Sequence, residues 1–244
     1  GTVILNADDA RVAAMRSLAA DGVRVLSYGI GADADVRGEA LRLTSDGSQF
    51  MVTWNNERHD YSIPLAGRHN VSNALAALAA GFVLGYTPQE MQTGLRRLAV
   101  TKMRYEVHEV GAWTFINDAY NASPSSMAAA LETTANLYEG RKIAVLGDML
   151  ELGDAAEEAH RTIGRRTAEL GFAALVTYGP QSQWMHTAAE AAGCPVCCHA
   201  ETHEAAAEHL RMLLRDGDTV LFKGSRGMKM EAVIALLTEG EAGY

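Results

Sequence analysis

The sequence has no apolar run approaching the roughly 20 residues needed to cross a bilayer, so membrane insertion is not expected. Its first residues lack a basic region followed by an apolar core, so no signal peptide is read there. An excess of positive charge is also missing. Thirty acidic against 21 basic side chains leave a net charge of −9, which disfavours a nucleic-acid surface. A local basic patch could still meet phosphate. No repeat and no low-complexity segment is found. Cysteine is scarce and crowded: Cys194, Cys197 and Cys198 are the whole set. An odd, clustered set is no disulfide framework and fits a reducing cytoplasm. His199 and His203 lie close by, but zinc would want a second ligand pair at longer spacing. A c-type haem would want His in place of Cys198. The expectation is therefore thiols buried on a short strand, and no metal site.

What is present is an ordinary globular composition. The 244 residues are 48% hydrophobic and 21% charged, enough for two domains. Thr2 to Leu5 read as a strand, and Val12, Met15, Leu18 and Ala19 as a helix stopped by Gly22. Val23 to Tyr28 form a second strand, ending in GIGADA, Gly29 to Ala34. That string matches a dinucleotide fingerprint, but the fingerprint needs a helix next. The sequence gives strand-like alternation from Val36 to Leu65 instead, with hairpin signals at Asp46-Gly47 and Asn55-Asn56. The fingerprint, and the oxidoreductase it would imply, are set aside. A small-residue helix follows between Gly67 and Gly85. Asn70 and Asn73 share a face of its first turn, where amides can cap the helix or read the edge of a heterocycle. Thr87-Pro88-Gln89-Glu90 opens another helix, expected to reach Leu98.

A domain boundary is expected at Val100 to Tyr105, separating 1–100 from 101–244. Beyond it strands (113–117, 142–147, 173–178, 195–199, 219–223) alternate with helices (about 125–138, 155–170, 181–192, 202–214, 228–238). Such alternation predicts an α/β fold with a mostly parallel, helix-covered sheet. Polar and glycine residues collect at the strand ends: Asn117-Asp118, Gly147-Asp148, Tyr178-Gly179 and Lys223-Gly224-Ser225-Arg226. In a parallel sheet those ends share one edge, where ligands bind. Ile116 to Leu131 is the densest such stretch. Trp113 to Ile116 suit a buried strand, and Asn117, Asp118, Tyr120 and Asn121 crowd a loop. Ser123 can cap the next helix, with Pro124 in its first turn.

Four motifs stand in order: GRHNVSNALAALAAG, NDAYNASPSSMAAAL, VLGDMLELG with His160 downstream, and VLFKGSRGMKME. Together they resemble the Mur ligase family of peptidoglycan synthesis, over essentially the whole chain. The resemblance implies that 1–100 is the latter part of the central ATPase domain and 101–244 a Rossmann-like C-terminal domain. It implies an ATP-dependent ligation in which a carboxylate of a UDP-N-acetylmuramoyl-tripeptide is activated as an acyl phosphate and joined to D-alanyl-D-alanine, with Mg²⁺ neutralising phosphate. Acceptors differ within the family; NASP and KGSR favour the dipeptide.

Carried over residue by residue, Asn70 and Asn73 match the asparagines near adenine, and Arg104 the arginine that reaches the ATP phosphates. Asp118 matches the aspartate on the ribose, while Tyr120 and Asn121 would flank nucleotide or acceptor. Asp148, Lys223, Ser225 and Arg226 would face the incoming dipeptide, with Arg104 and Lys223 as the catalytic cations. The sequence departs from the family in one respect: it contains no G-x-x-x-x-G-K-[ST] phosphate loop. In the family that loop, the Mg²⁺ ligands and a modified lysine lie upstream of the segment matching Gly1. The chain thus reads as a truncated ligase with little activity alone, or as a non-catalytic remnant that binds a dipeptide or a partner.

Overall fold

The alternating runs of the first hundred residues become a five-stranded sheet. Its strands are β1 (Thr2–Asn6), β2 (Arg24–Gly29), β3 (Val36–Thr44), β4 (Gly47–Trp54) and β5 (Glu57–Ile63), in spatial order β1-β2-β3-β4-β5. The first three are parallel and the last three antiparallel. The computed structural model describes residues 1–31, 33–98 and 102–238. The chain divides into two compact units, Gly1–Val100 and Thr101–Tyr244. The expected boundary begins outside the described residues, at Val100 and Thr101. Asn55 and Asn56 both adopt left-handed φ (49° and 63°), as a two-residue hairpin turn requires. Helix α2 (Arg68–Leu84) buries Val71, Leu75 and Leu78 against Leu26, Val36, Phe50 and Tyr61 of the sheet. Helix α3 (Pro88–Arg96) starts with a Thr87–Glu90 capping box and stops short of Leu98.

Two readings of this unit change. The helix expected over Val12 to Ala19 is a five-residue α1 (Ala10–Ala14) followed by a 3₁₀ turn, Met15–Leu18. Among the described residues neither piece buries a side chain, and Leu18 is 80% exposed, so there is no packing to sustain a longer helix. At α2 neither asparagine caps. The N-cap is Gly67 at φ 98°, and the Asn70 amide donates backwards to the Ala66 carbonyl at 2.8 Å, while Asn73 is exposed. GIGADA is followed by strand β3 rather than by a helix. The Asp8 carboxylate accepts the N–H groups of Ile30 (2.7 Å) and Gly31 (2.9 Å), so these amides of the glycine turn are already engaged.

The second unit is a six-stranded sheet in the order β10-β9-β8-β11-β7-β6. Strands β7 (Trp113–Asp118), β8 (Lys142–Gly147), β9 (Ala174–Tyr178), β10 (Cys197–Ala200) and β11 (Thr219–Lys223) are parallel. An antiparallel edge strand β6 (Glu106–Val110) was not anticipated, because Val107, His108 and Glu109 are exposed and carry little hydrophobic signal. Helices α4 (Pro124–Leu137), α5 (Ala156–Glu169), α6 (Ser182–Ala191), α7 (His203–Leu213) and α8 (Glu231–Thr238) complete the alternation. Phe115, Ile143, Val145, Val176, Val220 and Phe222 are fully buried in the core of this unit. The last helix was expected from residue 228. Instead a 3₁₀ turn (Arg226–Met228) and a left-handed Lys229 (φ 48°) precede α8. Met228 and Met230 are both buried (9% and 0% exposed), and residues two apart do not share a helix face. The left-handed residue turns both inward.

Candidate active site

The register of the second sheet lines up its strand ends. Asp118 pairs with Lys223, Lys223 with Leu146, Leu146 with Thr177, and Thr177 with His199. The polar loops therefore leave from one edge. Asp118 ends β7 and Lys223 ends the neighbouring β11, which puts their side chains together at 2.6 Å. Lys223 is 3% exposed, and its ammonium also donates to the carbonyls of Asn121 (2.9 Å) and Asp118 (3.4 Å). Three acceptors match the three donors of an ammonium. The other carboxylate oxygen of Asp118 accepts the Tyr105 N–H at 3.1 Å.

The loop after β7 is built as its sequence implies. Asn117 accepts the N–H of Ala119, and Asn121 accepts that of Ala122. Ser123 and Ser126 form a capping box with Pro124 in the first turn of α4. Tyr120 is left 41% exposed, and the Arg104 guanidinium lies over its ring at 4.2 Å from the centroid. This cation–π contact holds the exposed Arg104 side chain against the ring. Among the described residues Arg104 has no carboxylate partner. Arg226 is exposed too, but is paired with Glu231 at 2.7 Å and reaches the Met103 sulfur at 3.4 Å.

Asp148 and Ser225 are buried (1% and 4% exposed) and bonded to backbone. The Asp148 carboxylate accepts the N–H groups of Ser182 (2.6 Å) and Gln181 (3.2 Å) at the start of α6, where a negative charge complements the helix dipole. Ser225 accepts the Leu150 N–H at 2.9 Å, and its own N–H donates to the Asp148 carbonyl. His160, fully buried, extends this scaffold. Its Nε2 accepts the Met149 N–H (3.0 Å), so the proton must sit on Nδ1, which donates to the Ala156 carbonyl (2.7 Å). These residues hold the loops rather than line an open surface.

Thus Arg104, Asp118, Tyr120, Asn121, Lys223 and Arg226 gather around one loop of the second unit, with Asp148 and Ser225 beneath. Asn70 and Asn73 belong to the first unit. Sequence reasoning missed Met103, Tyr105 and Glu231. Left-handed φ at Met103 (60°) and Tyr105 (53°) has no sequence signature in residues other than glycine, asparagine or aspartate. The cysteines split: Cys194 is buried, while Cys197 and Cys198 are half-buried, and burial pushes the Cys197 thiol up to about 12. Among the described residues no group of three or more His, Cys, Asp or Glu is placed to share a metal ion. No helix among them is long and apolar enough to cross a membrane.

A mixed α/β unit followed by a mostly parallel α/β unit with polar residues gathered at its strand ends defines a two-unit α/β protein. The chain belongs to the Mur ligase family. The family model of the Mur ligase middle domain matches residues 1–81, and that of the Mur ligase glutamate ligase domain matches residues 103–226. It is similar to the UDP-N-acetylmuramoyl-tripeptide–D-alanyl-D-alanine ligase of Bacillus subtilis, 36% identical over 219 residues, which are 87% of this chain and 47% of that protein. The corresponding ligase of Escherichia coli is 33% identical over 211 residues, 85% of this chain and 45% of that protein. The crystal structure of MurF from Acinetobacter baumannii superposes with a TM-score of 0.87 at 31% identity, covering 98% of this chain and 52% of that one. The chain spans about half the length of the curated relatives it matches.

Proposed function

We propose that this chain forms the adenine-, ribose- and dipeptide-binding part of an ATP-dependent ligase that joins D-alanyl-D-alanine to UDP-N-acetylmuramoyl-tripeptide. The observation that carries the reading is Arg104 held over Tyr120 beside the Asp118–Lys223 pair, on the one edge of a parallel sheet where ligands dock. The names of the 36% and 33% identical relatives support the substrates. ATP, with Mg²⁺, supplies the phosphoryl group that turns a poor electrophile into a reactive one.

The chain's own residues bind and orient. Arg104 offers unpaired N–H donors to phosphate oxygens. Asp118, held by Lys223 and the Tyr105 N–H, keeps lone pairs for ribose hydroxyls. Asn70 and Asn73 offer amides for a base edge. Lys223 serves by fixing Asp118 and the Asn121 carbonyl, and Asp148 and Ser225 by fixing the loop that would meet the dipeptide.

The test is a ligation assay on the pure 244-residue chain, following phosphate release with both peptide substrates. Because the sequence holds no phosphate loop, the expected rate is at or near background. Robust ATP-dependent ligation would overturn the division of labour proposed. The same missing loop favours a second reading, a non-catalytic dipeptide-binding module. Dipeptide binding that is indifferent to ATP would support that reading over the ligase.

A further inference from the structure

Arg104 sits between two residues in a conformation that L-amino acids avoid. Met103 has φ 60° and Tyr105 φ 53°. Left-handed backbone is unfavourable for a residue with a side chain, so surrounding bonds must enforce it. The Met103 carbonyl accepts the Tyr120 N–H at 3.0 Å, and the Met103 N–H donates to Glu106 at 3.1 Å. On the other side, the Tyr105 N–H donates to Asp118 at 3.1 Å. The Tyr105 side chain then runs inward, 9% exposed, and its hydroxyl meets Thr134 Oγ1 at 2.9 Å.

The direction of that last bond can be deduced. Thr134 has one hydroxyl proton, and it is given to the Ala130 carbonyl at 2.9 Å within α4. Tyr105 is therefore the donor. Burial pushes its phenol above the ordinary tyrosine value, so it remains a donor at any working pH. The turn is thus tied to β7 at Asp118, to the site loop at Tyr120, and to α4 at Thr134.

We propose that Tyr105 is a positioning residue for the proposed ligand site. Its phenol, locked onto Thr134, holds the Met103–Tyr105 turn so that the Arg104 guanidinium stays over Tyr120, aimed at the phosphate chain of a nucleotide. The inference rests on the reading of Arg104 as a phosphate contact. Tyr105 itself touches no ligand.

The experiment is a double-mutant cycle on the full 244-residue chain, with inorganic tripolyphosphate as the probe and calorimetry as the readout. Arg104→Ala is expected to weaken binding about tenfold, the scale of one charge-assisted contact. Tyr105→Phe, which removes one oxygen and keeps the ring, is expected to weaken it about threefold to fivefold. The double variant should bind like Arg104→Ala alone, because Tyr105 has nothing left to position. Thr134→Val breaks the same bond from the other side and should reproduce Tyr105→Phe; it also replaces that variant should Tyr105→Phe fail to fold. Effects of Arg104→Ala and Tyr105→Phe that multiply would assign Tyr105 a general structural role and overturn the proposal. So would unchanged binding in Tyr105→Phe. If Arg104→Ala itself binds tripolyphosphate like the wild type, the phosphate reading of Arg104 fails and the positioning role falls with it. The single variants thus separate the two failures.

Discussion

Lys223 is almost sealed from water, and its ammonium is matched by three oxygens, one of them charged. Removing one partner of such a pair leaves the other buried and uncompensated. Lys223→Met is therefore expected to lower stability by about 3–5 kcal/mol in urea unfolding, with much of the loss recovered when Asp118→Leu is added. A second residue-scale prediction concerns Asp35 in the first unit. Burial opposes its charge, but the N–H and hydroxyl of Ser27 (2.8 and 2.6 Å) outweigh burial and hold the carboxyl below its ordinary value. A lowered folded value means that the stabilisation is complete above the unfolded value, about 3.9, and fades as pH falls through the folded one. The stability gap between wild type and Asp35→Asn should be constant from about pH 5 to 7 and close below about pH 4. The site residues were legible as types crowded at strand ends. Their bonding was not: nothing in the string says that Lys223 would spend its donors on Asp118 and Asn121, or Asp148 its oxygens on α6. Those pairings depend on β11 entering the sheet between β8 and β7, a crossover that local sequence does not encode.

The elements of the second unit follow the sequence within a few residues, because each strand is a short buried run and each helix carries its own stop signal. The departures fall where packing overrides pattern: β6 on an exposed edge, and the turn before α8 that buries Met228 and Met230. In the first unit α1 is short because an amphipathic spacing found nothing to pack on. One glycine carries an element-scale prediction. A Cβ on Gly164 of α5 would lie 2.1 Å from the Met185 carbonyl oxygen of α6. Backbone cannot give way as a side chain can, so the two helices would have to separate. Gly164→Ala should cost about 2–3 kcal/mol in thermal or urea unfolding. Its mechanism differs from that at Gly171, where φ 73° strains any side chain but nothing lies within 4 Å.

The whole molecule comprises two units, one with Asn70 and Asn73 on helix α2, the other with Arg104, Tyr120 and Asp118 at the strand ends of a mostly parallel sheet. Ribose and phosphate contacts are proposed for the second unit. Because no phosphate loop is present in these 244 residues, affinity for ATP should be low, in the millimolar range. The measurement that tests this most directly is an ATP titration of the isotope-labelled chain by nuclear magnetic resonance. It would follow the backbone amides of Asp118 to Asn121. Saturable shifts that share one dissociation constant are expected across this loop. An absence of shifts at about 10 mM ATP, or shifts that do not saturate together, would contradict the proposed site.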